Sequence, residues 1–285
     1  MAAFLLVVLA NAMSLVESTA IKQYNAKHTK GGFVFTAMVS LFSMLFFVIT
    51  DKGGFHFPAE MLPYGLASGV LYASASLLTY IALGCGPFAL SMLLLSYAGI
   101  FSILYGILFL GDTLSVFSVL GIVLMLVSLY LTRTEKRVGE SKISFRWAIA
   151  IGISVAGCGM LGVLQKMQQL RFENTVDNEY MIVTLGFSAV SLFIIGCISD
   201  AKSTFHILKS GAPFFSLAGL SNGFTNFLVL VTNEMMPLSI VSPLRTGTKI
   251  VLSFLISTLV FKERFLPRQL VGVAVGTAAL ILLNF

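Results

Sequence analysis

Glu17, Arg245 and Lys249 stand inside stretches of chain that are otherwise almost wholly apolar. An ionised side chain deep in a bilayer costs at least ~2.5–3.5 kcal/mol on the insertion scale, so each needs a wet cavity or a partner. Arg245 and Lys249 are four residues apart and therefore share one face of a helix. Counted from Pro237, Arg245 lies about 12 Å and Lys249 about 18 Å into its apolar stretch. Two readings are open for the pair: a structural ion pair with Glu17, or an anion-binding pair for a carboxylate or phosphate. Glu17 lies about 7–8 Å before the Lys22 that ends its own stretch. Three roles are open for it: a proton-coupling site, a ligand for a substrate amine, or a counter-ion. Asn11 and Ser14 precede it at helical spacing and are expected to line the same cavity.

The neutral polar residues follow the same logic. Asn222 and Asn226 are four apart with Thr225 beside them. Buried amides in lipid need partners, so helix–helix hydrogen bonding and solute contact both stand. Tyr72 and Ser76 occupy the equivalent stretch of the first half, and Ser96 and Tyr97 are weaker candidates. Lys166 lies near the end of its stretch, where its ammonium can snorkel to the interface.

Composition says what must position these residues. Of 285 residues, 57% are hydrophobic and only 11% charged, and the mean hydropathy is +0.95. A soluble domain carries roughly 25% charge, so there is too little polar surface here to coat a water-soluble globule. The net charge of +6 could suggest nucleic acid, but most basic residues sit in short connections between apolar runs. Cys85, Cys158 and Cys197 form no CxxC pair, and His28, His56 and His206 are dispersed, so neither a zinc site nor a disulfide framework is indicated. There is no GxxxxGK[ST], HExxH or GxSxG, so no cofactor, direct use of ATP or enzymatic activity is expected. The N-terminal MAAFLLVVLA has no basic n-region and no cleavage site, and reads as a retained first helix.

A bilayer needs about 20 apolar residues per helix. Ten spans fit: 3–23, 32–50, 63–84, 88–110, 114–132, 147–168, 180–199, 211–232, 237–261 and 267–285. Gly86-Pro87, Gly111-Asp112 and Met236-Pro237 break consecutive spans. The longest connection, 133–146, divides the chain into residues 1–132 and 147–285. Odd-numbered connections carry 13 basic residues and even-numbered ones carry Lys52 and Arg171. The positive-inside rule then puts the odd connections in the cytoplasm and both termini outside.

The two halves match. From Pro87 and Pro237 onward, FALSMLLLSYAGIFSILYGILFLGDTLSVFSVLGI parallels LSIVSPLRTGTKIVLSFLISTLVFKERFLPRQLVGV. Asp112 meets Glu263, Gly121 meets Gly272, Gly69 meets Gly219, Lys22 meets Lys166 and Asp51 meets Asp200. Five spans per half is an odd number, so the second half inserts upside down. Inverted repeats of this kind enclose a solute site near the midplane and alternate its access. Gly65-x-x-x-Gly69 and Gly272-x-x-x-Gly276 permit close helix approach.

This arrangement resembles the drug/metabolite transporter superfamily, its EamA-like branch in particular. Met236–Leu283 and STAIKQ at 18–23 resemble the last two helices and the end of the first helix of the small multidrug resistance family. The acidic residue after the fourth span of each repeat, Asp112 and Glu263, is the most recognisable mark. The resemblance implies an all-α membrane fold of two inverted five-helix repeats. It implies a cavity among the first, third, fourth, sixth, eighth and ninth helices, and scaffold or homodimer contacts through the fifth and tenth. The small multidrug family's membrane glutamate falls here on Ser14, with Cys158 as its repeat partner, so that family's proton–drug exchange does not carry over. The family usually places its N-terminus inside, whereas the loop charges put it outside.

The function expected is secondary active transport of a small polar metabolite, anionic or zwitterionic, across a bacterial plasma (inner) membrane. The solute and the lipid are the expected partners. A non-transporting scaffold or receptor and an intramembrane enzyme are the alternatives; the spans offer the latter no histidine.

Overall fold

A computed structural model describes residues 2–28, 31–51, 54–98, 116–132, 144–172, 175–199, 204–235, 238–263 and 266–282. The helices are α1 (Ala2–Lys27), α2 (Gly32–Thr50), α3 (Leu62–Cys85), α4 (Phe88–Ser96), α5 (Val116–Thr132), α6 (Phe145–Phe172), α7 (Asp177–Ser199), α8 (Thr204–Met235), α9 (Leu238–Leu259) and α10 (Pro267–Leu282). No strand occurs among the described residues. The later part of the expected fourth span, Asp112, and residues 133–143 of the central connection lie outside them.

Boundaries fall where the backbone demands them. Gly31, before α2, has φ +92°, and a side chain there would also strike Ile207. Between α3 and α4, Pro87 cannot continue a helix, and a Cβ on Gly86 would lie 2.2 Å from the Trp147 indole. α1 runs five residues beyond Lys22, so that lysine is an inward-facing helical residue rather than part of a connection. This corrects its assignment to the first loop.

The distribution of polarity is inverted relative to a water-soluble bundle. Ser40, Ser43, Ser68, Ser91, Ser154 and Ser188 are fully buried at helix contacts, while Ile49 and Ile198 are each 78% exposed. Small hydroxylated residues between helices and branched apolar ones outside suit lipid as the solvent. Five helices, α1, α2, α3, α6 and α7, are long and apolar enough to cross a membrane. The chain is thus an all-α, membrane-embedded protein. α8 and α9 are less apolar because they carry Asn222, Asn226, Arg245 and Lys249.

α1 packs on α8, α3 on α6 and α7, α2 on α7 and α8, α4 on α6 and α9, and α5 on α10. Glycines permit close approach at several of these contacts. A Cβ on Gly69 would lie 3.1 Å from the Thr184 carbonyl of α7, and one on Gly219 would lie 2.6 Å from the Val39 carbonyl of α2. Gly276 packs against Ser128 and Tyr97, so the small-residue stripe of α10 is used within the chain, against α5 and α4. At one end of the bundle Arg171 meets Glu60, and the Glu179 carboxylate accepts the His56 amide. At the other, Lys22 meets Glu263, Arg268 donates to the Tyr130 carbonyl, and the His28 and His206 rings approach to 6.5 Å.

Candidate functional site

A cavity of about 320 Å³ lies among α1, α2, α3, α4, α6, α8 and α9. Ser14, Glu17 and Ser18 reach it from α1, and Tyr72, Ser76, Thr79 and Tyr80 from α3. Cys158 reaches it from α6, Asn222 from α8 and Lys249 from α9. Phe35, Val39, Met92, Leu95 and Leu161 supply apolar wall. This mixture of apolar surface and a few convergent polar groups is what a small-molecule site needs. A second crevice, of about 160 Å³ between α2 and α7, is lined by Ala37, Met38, Leu41, Ala189 and Phe193. It has no polar handle and carries no chemistry.

Asn222 organises the polar end. Its side-chain oxygen has the Ser43 hydroxyl at 2.8 Å, the Tyr72 hydroxyl at 3.1 Å and the Asn226 amide at 3.1 Å. Its own amide nitrogen is left to donate to Glu17 Oε1 at 3.0 Å. Glu17 is therefore held by a neutral donor. The salt bridges among the described residues are Lys22–Glu263 and Arg171–Glu60, and neither joins Glu17 to Arg245 or Lys249. The cavity thus carries a carboxylate and an ammonium that do not satisfy each other by direct contact.

The residues expected from sequence divide into three groups. Glu17, Ser14, Tyr72, Asn222 and Lys249 line the cavity together. Asn226, Asn11 and Arg245 are not among the residues that line it. Asn226 donates to the carbonyl and side-chain oxygen of Asn222, and Asn11 donates to the Arg245 carbonyl at 2.8 Å, tying α1 to α9. Tyr97 is buried elsewhere, its hydroxyl 2.8 Å from Ser128 of α5. The side chain of Lys166 lies outside the described residues.

Three features escaped the sequence reading. Cys158, noted only as the repeat partner of Ser14, lines the cavity as Ser14 does. That alignment was the available signal. Thr36 and Tyr80 also line it, and among the described residues their buried hydroxyls have no partner. Glu263, read as a loop mark, turns inward and joins Lys22.

No protein-family model and no curated protein sequence matches the chain. Among solved structures, 24 chains match. One of them, a crystal structure, aligns over 99% of this chain and 96% of its own, with a TM-score of 0.59 and 15% identity. At that identity the likeness is one of fold, and it extends over the whole chain.

Proposed function

We propose that the protein is a secondary transporter of the EamA-like, drug/metabolite type, moving a small zwitterionic or anionic metabolite across a plasma membrane by alternating access. The observation that carries this is the cavity itself: Glu17 from the first half and Lys249 from the second face one space without forming an ion pair. A charge left unpaired at that depth is costly, and a solute with a complementary charge offsets the cost.

The packing supports two repeats of five helices. When each helix is replaced by the one five places along, α1·α8 becomes α6·α3 and α2·α8 becomes α7·α3; α2·α7, α4·α9 and α5·α10 map onto themselves. Contacts at the helix ends support opposite orientation of the halves. Arg171–Glu60 joins the last turn of α6 to the second connection, while Lys22–Glu263 joins the later part of α1 to the residues just after α9. Even ends meet even and odd meet odd, as they do when every helix crosses.

Purified protein in liposomes tests the reading. A screen of metabolites by thermal shift should yield a zwitterion or anion that stabilises the protein, and that solute should show counterflow. Lys249→Met should abolish both. Binding without counterflow would make the protein a receptor. If Glu17 couples protons, Glu17→Gln should lose pH-driven accumulation and retain exchange; accumulation unchanged in that variant rejects the coupling role.

A further inference from the structure

The geometry points to a latch at the odd-connection end of the cavity, formed by Lys22, Glu263 and the start of α4, that must open for solute to pass that way. The inference rests on the transport reading above.

Glu263 reaches three elements at once. One carboxylate oxygen lies 2.5 Å from Lys22 Nζ on α1 and 2.7 Å from the Phe88 amide on α4; the other lies 3.5 Å from the Ala89 amide and accepts from Ser257 on α9. The first amides of a helix have no partner within the helix. α4 starts after Pro87 and has no side-chain cap of its own. Glu263 supplies that cap from 175 residues away in sequence, and its charge opposes the positive end of the α4 dipole. Lys22 is fixed in turn: its ammonium is 3.4 Å from the Gly86 carbonyl and 4.4 Å from the centre of the Phe261 ring. Both partners of the pair are only 16% exposed.

The cluster sits directly below the cavity. Ser18 and Ile21, within one helical turn of Lys22, line it, as does Met92, one turn beyond Phe88. Lys249 is eight residues, about 12 Å, along α9 from Ser257. The tied helices α1 and α9 are thus the two that carry Glu17 and Lys249. The other end of the bundle is held differently. Arg171 and Glu60 are 63% and 72% exposed and 3.3 Å apart, a tie of little strength. A compact ionic cluster at one end and a solvated pair at the other describe a molecule shut at the Lys22 end. When that end opens, water enters, the ammonium, carboxylate and α4 amides are each hydrated, and the closure is reversible.

Cys158 reports on this from inside the cavity. The test uses full-length protein with Cys85→Ser and Cys197→Ser, in liposomes of known orientation, labelled from each face with a membrane-impermeant maleimide. With the latch intact, labelling of Cys158 from the Lys22 face should be slow. Glu263→Gln and Lys22→Met should each speed it about tenfold, the size expected when one state of a two-state equilibrium loses a stabilising contact. Arg171→Ala should leave that rate unchanged. Continued labelling from the opposite face marks a folded variant. Rates from the Lys22 face that stay at the parent value in both latch variants overturn the latch alone. Failure of Cys158 to label from either face in any variant overturns the latch and the transport reading together.

Discussion

Asn222 decides how Glu17 is presented. The Ser43 and Tyr72 hydroxyls can donate or accept, but turning the side chain over would set its nitrogen against the Asn226 amide and its oxygen against the Glu17 carboxylate. Its nitrogen must therefore face the carboxylate. Asn222→Asp keeps the shape and sets a second carboxylate oxygen where the donor stood, 3.0 Å from Glu17. The hydrogen bond lost costs about 2 kcal/mol of stability, and the added carboxylate sets a like charge in the cavity against an anionic solute. The variant should bind an anionic solute about tenfold more weakly by calorimetry and melt at a lower temperature, while Asn226→Ala, one step removed from the cavity, changes affinity by less. The same reasoning separates the two cations of α9. Lys249 lines the cavity and Arg245 does not, so Lys249→Met should cost more solute affinity than Arg245→Ala. Equal losses, measured on the same solute, would put Arg245 back in the site. Spacing in the sequence put both on one helix face, but which of them reaches the cavity depends on how α9 rotates against α1 and α4. No periodicity reports that. Tyr97 lies away from the cavity for a related reason: its partner Ser128 is brought to it by the docking of α5, which spacing in the sequence does not report.

At the scale of elements, close helix approach is carried by glycines whose mates lie in the other half. Gly69 against α7 and Gly219 against α2 are aligned in the repeat, and both were legible as a matched pair. What they touch was not, because sequence similarity between halves says nothing of which helix crosses which. Gly219→Ala sets a methyl 2.6 Å from the Val39 carbonyl, and backbone there has no rotamer to yield. It should destabilise by about 1–3 kcal/mol. Gly152 of α6 is the control: nothing lies within 4 Å of a Cβ there. Alanine in a helix interior is favoured over glycine by about 0.5–1 kcal/mol, so Gly152→Ala should hold or raise the melting temperature in detergent while Gly219→Ala lowers it. A neutral Gly219→Ala would mean that α2 and α8 are further apart than described. Helix ends were read less well than helix interiors. Lys22 looks like a terminus because hydropathy falls there, yet α1 continues to Lys27, since a largely buried lysine paired with Glu263 is no barrier to helix.

For the molecule as a whole, hydropathy makes the spans legible and charge suggests how they are oriented, because lipid penalises polar backbone and polar side chain alike. The connections are short, so every helix end must meet neighbours from its own side of the membrane. That constraint yields a sharp expectation. His28 follows α1 in the first connection, His206 lies in the first turn of α8 just after the seventh, and their rings approach each other; His56 and Thr175 belong to the second and sixth. In a chain cleared of native cysteines, single cysteines at 28 and 206 should react with an impermeant reagent from one face, and cysteines at 56 and 175 from the other. By the positive-inside rule the first face is expected to be cytoplasmic: without Lys22, which lies within α1, the odd connections keep 12 of the 13 basic residues counted from the sequence, against two on the even ones. Labelling of 28 and 56 from the same face would mean that α2 does not cross. That result would remove the upside-down second half, since the inversion follows only if each of the five helices in the first half spans the bilayer. Labelling with the right parity but the opposite face to the cytoplasm would keep the architecture and reverse its orientation. Glu263 and Lys22 would then close the outer side of the cavity instead of the inner one.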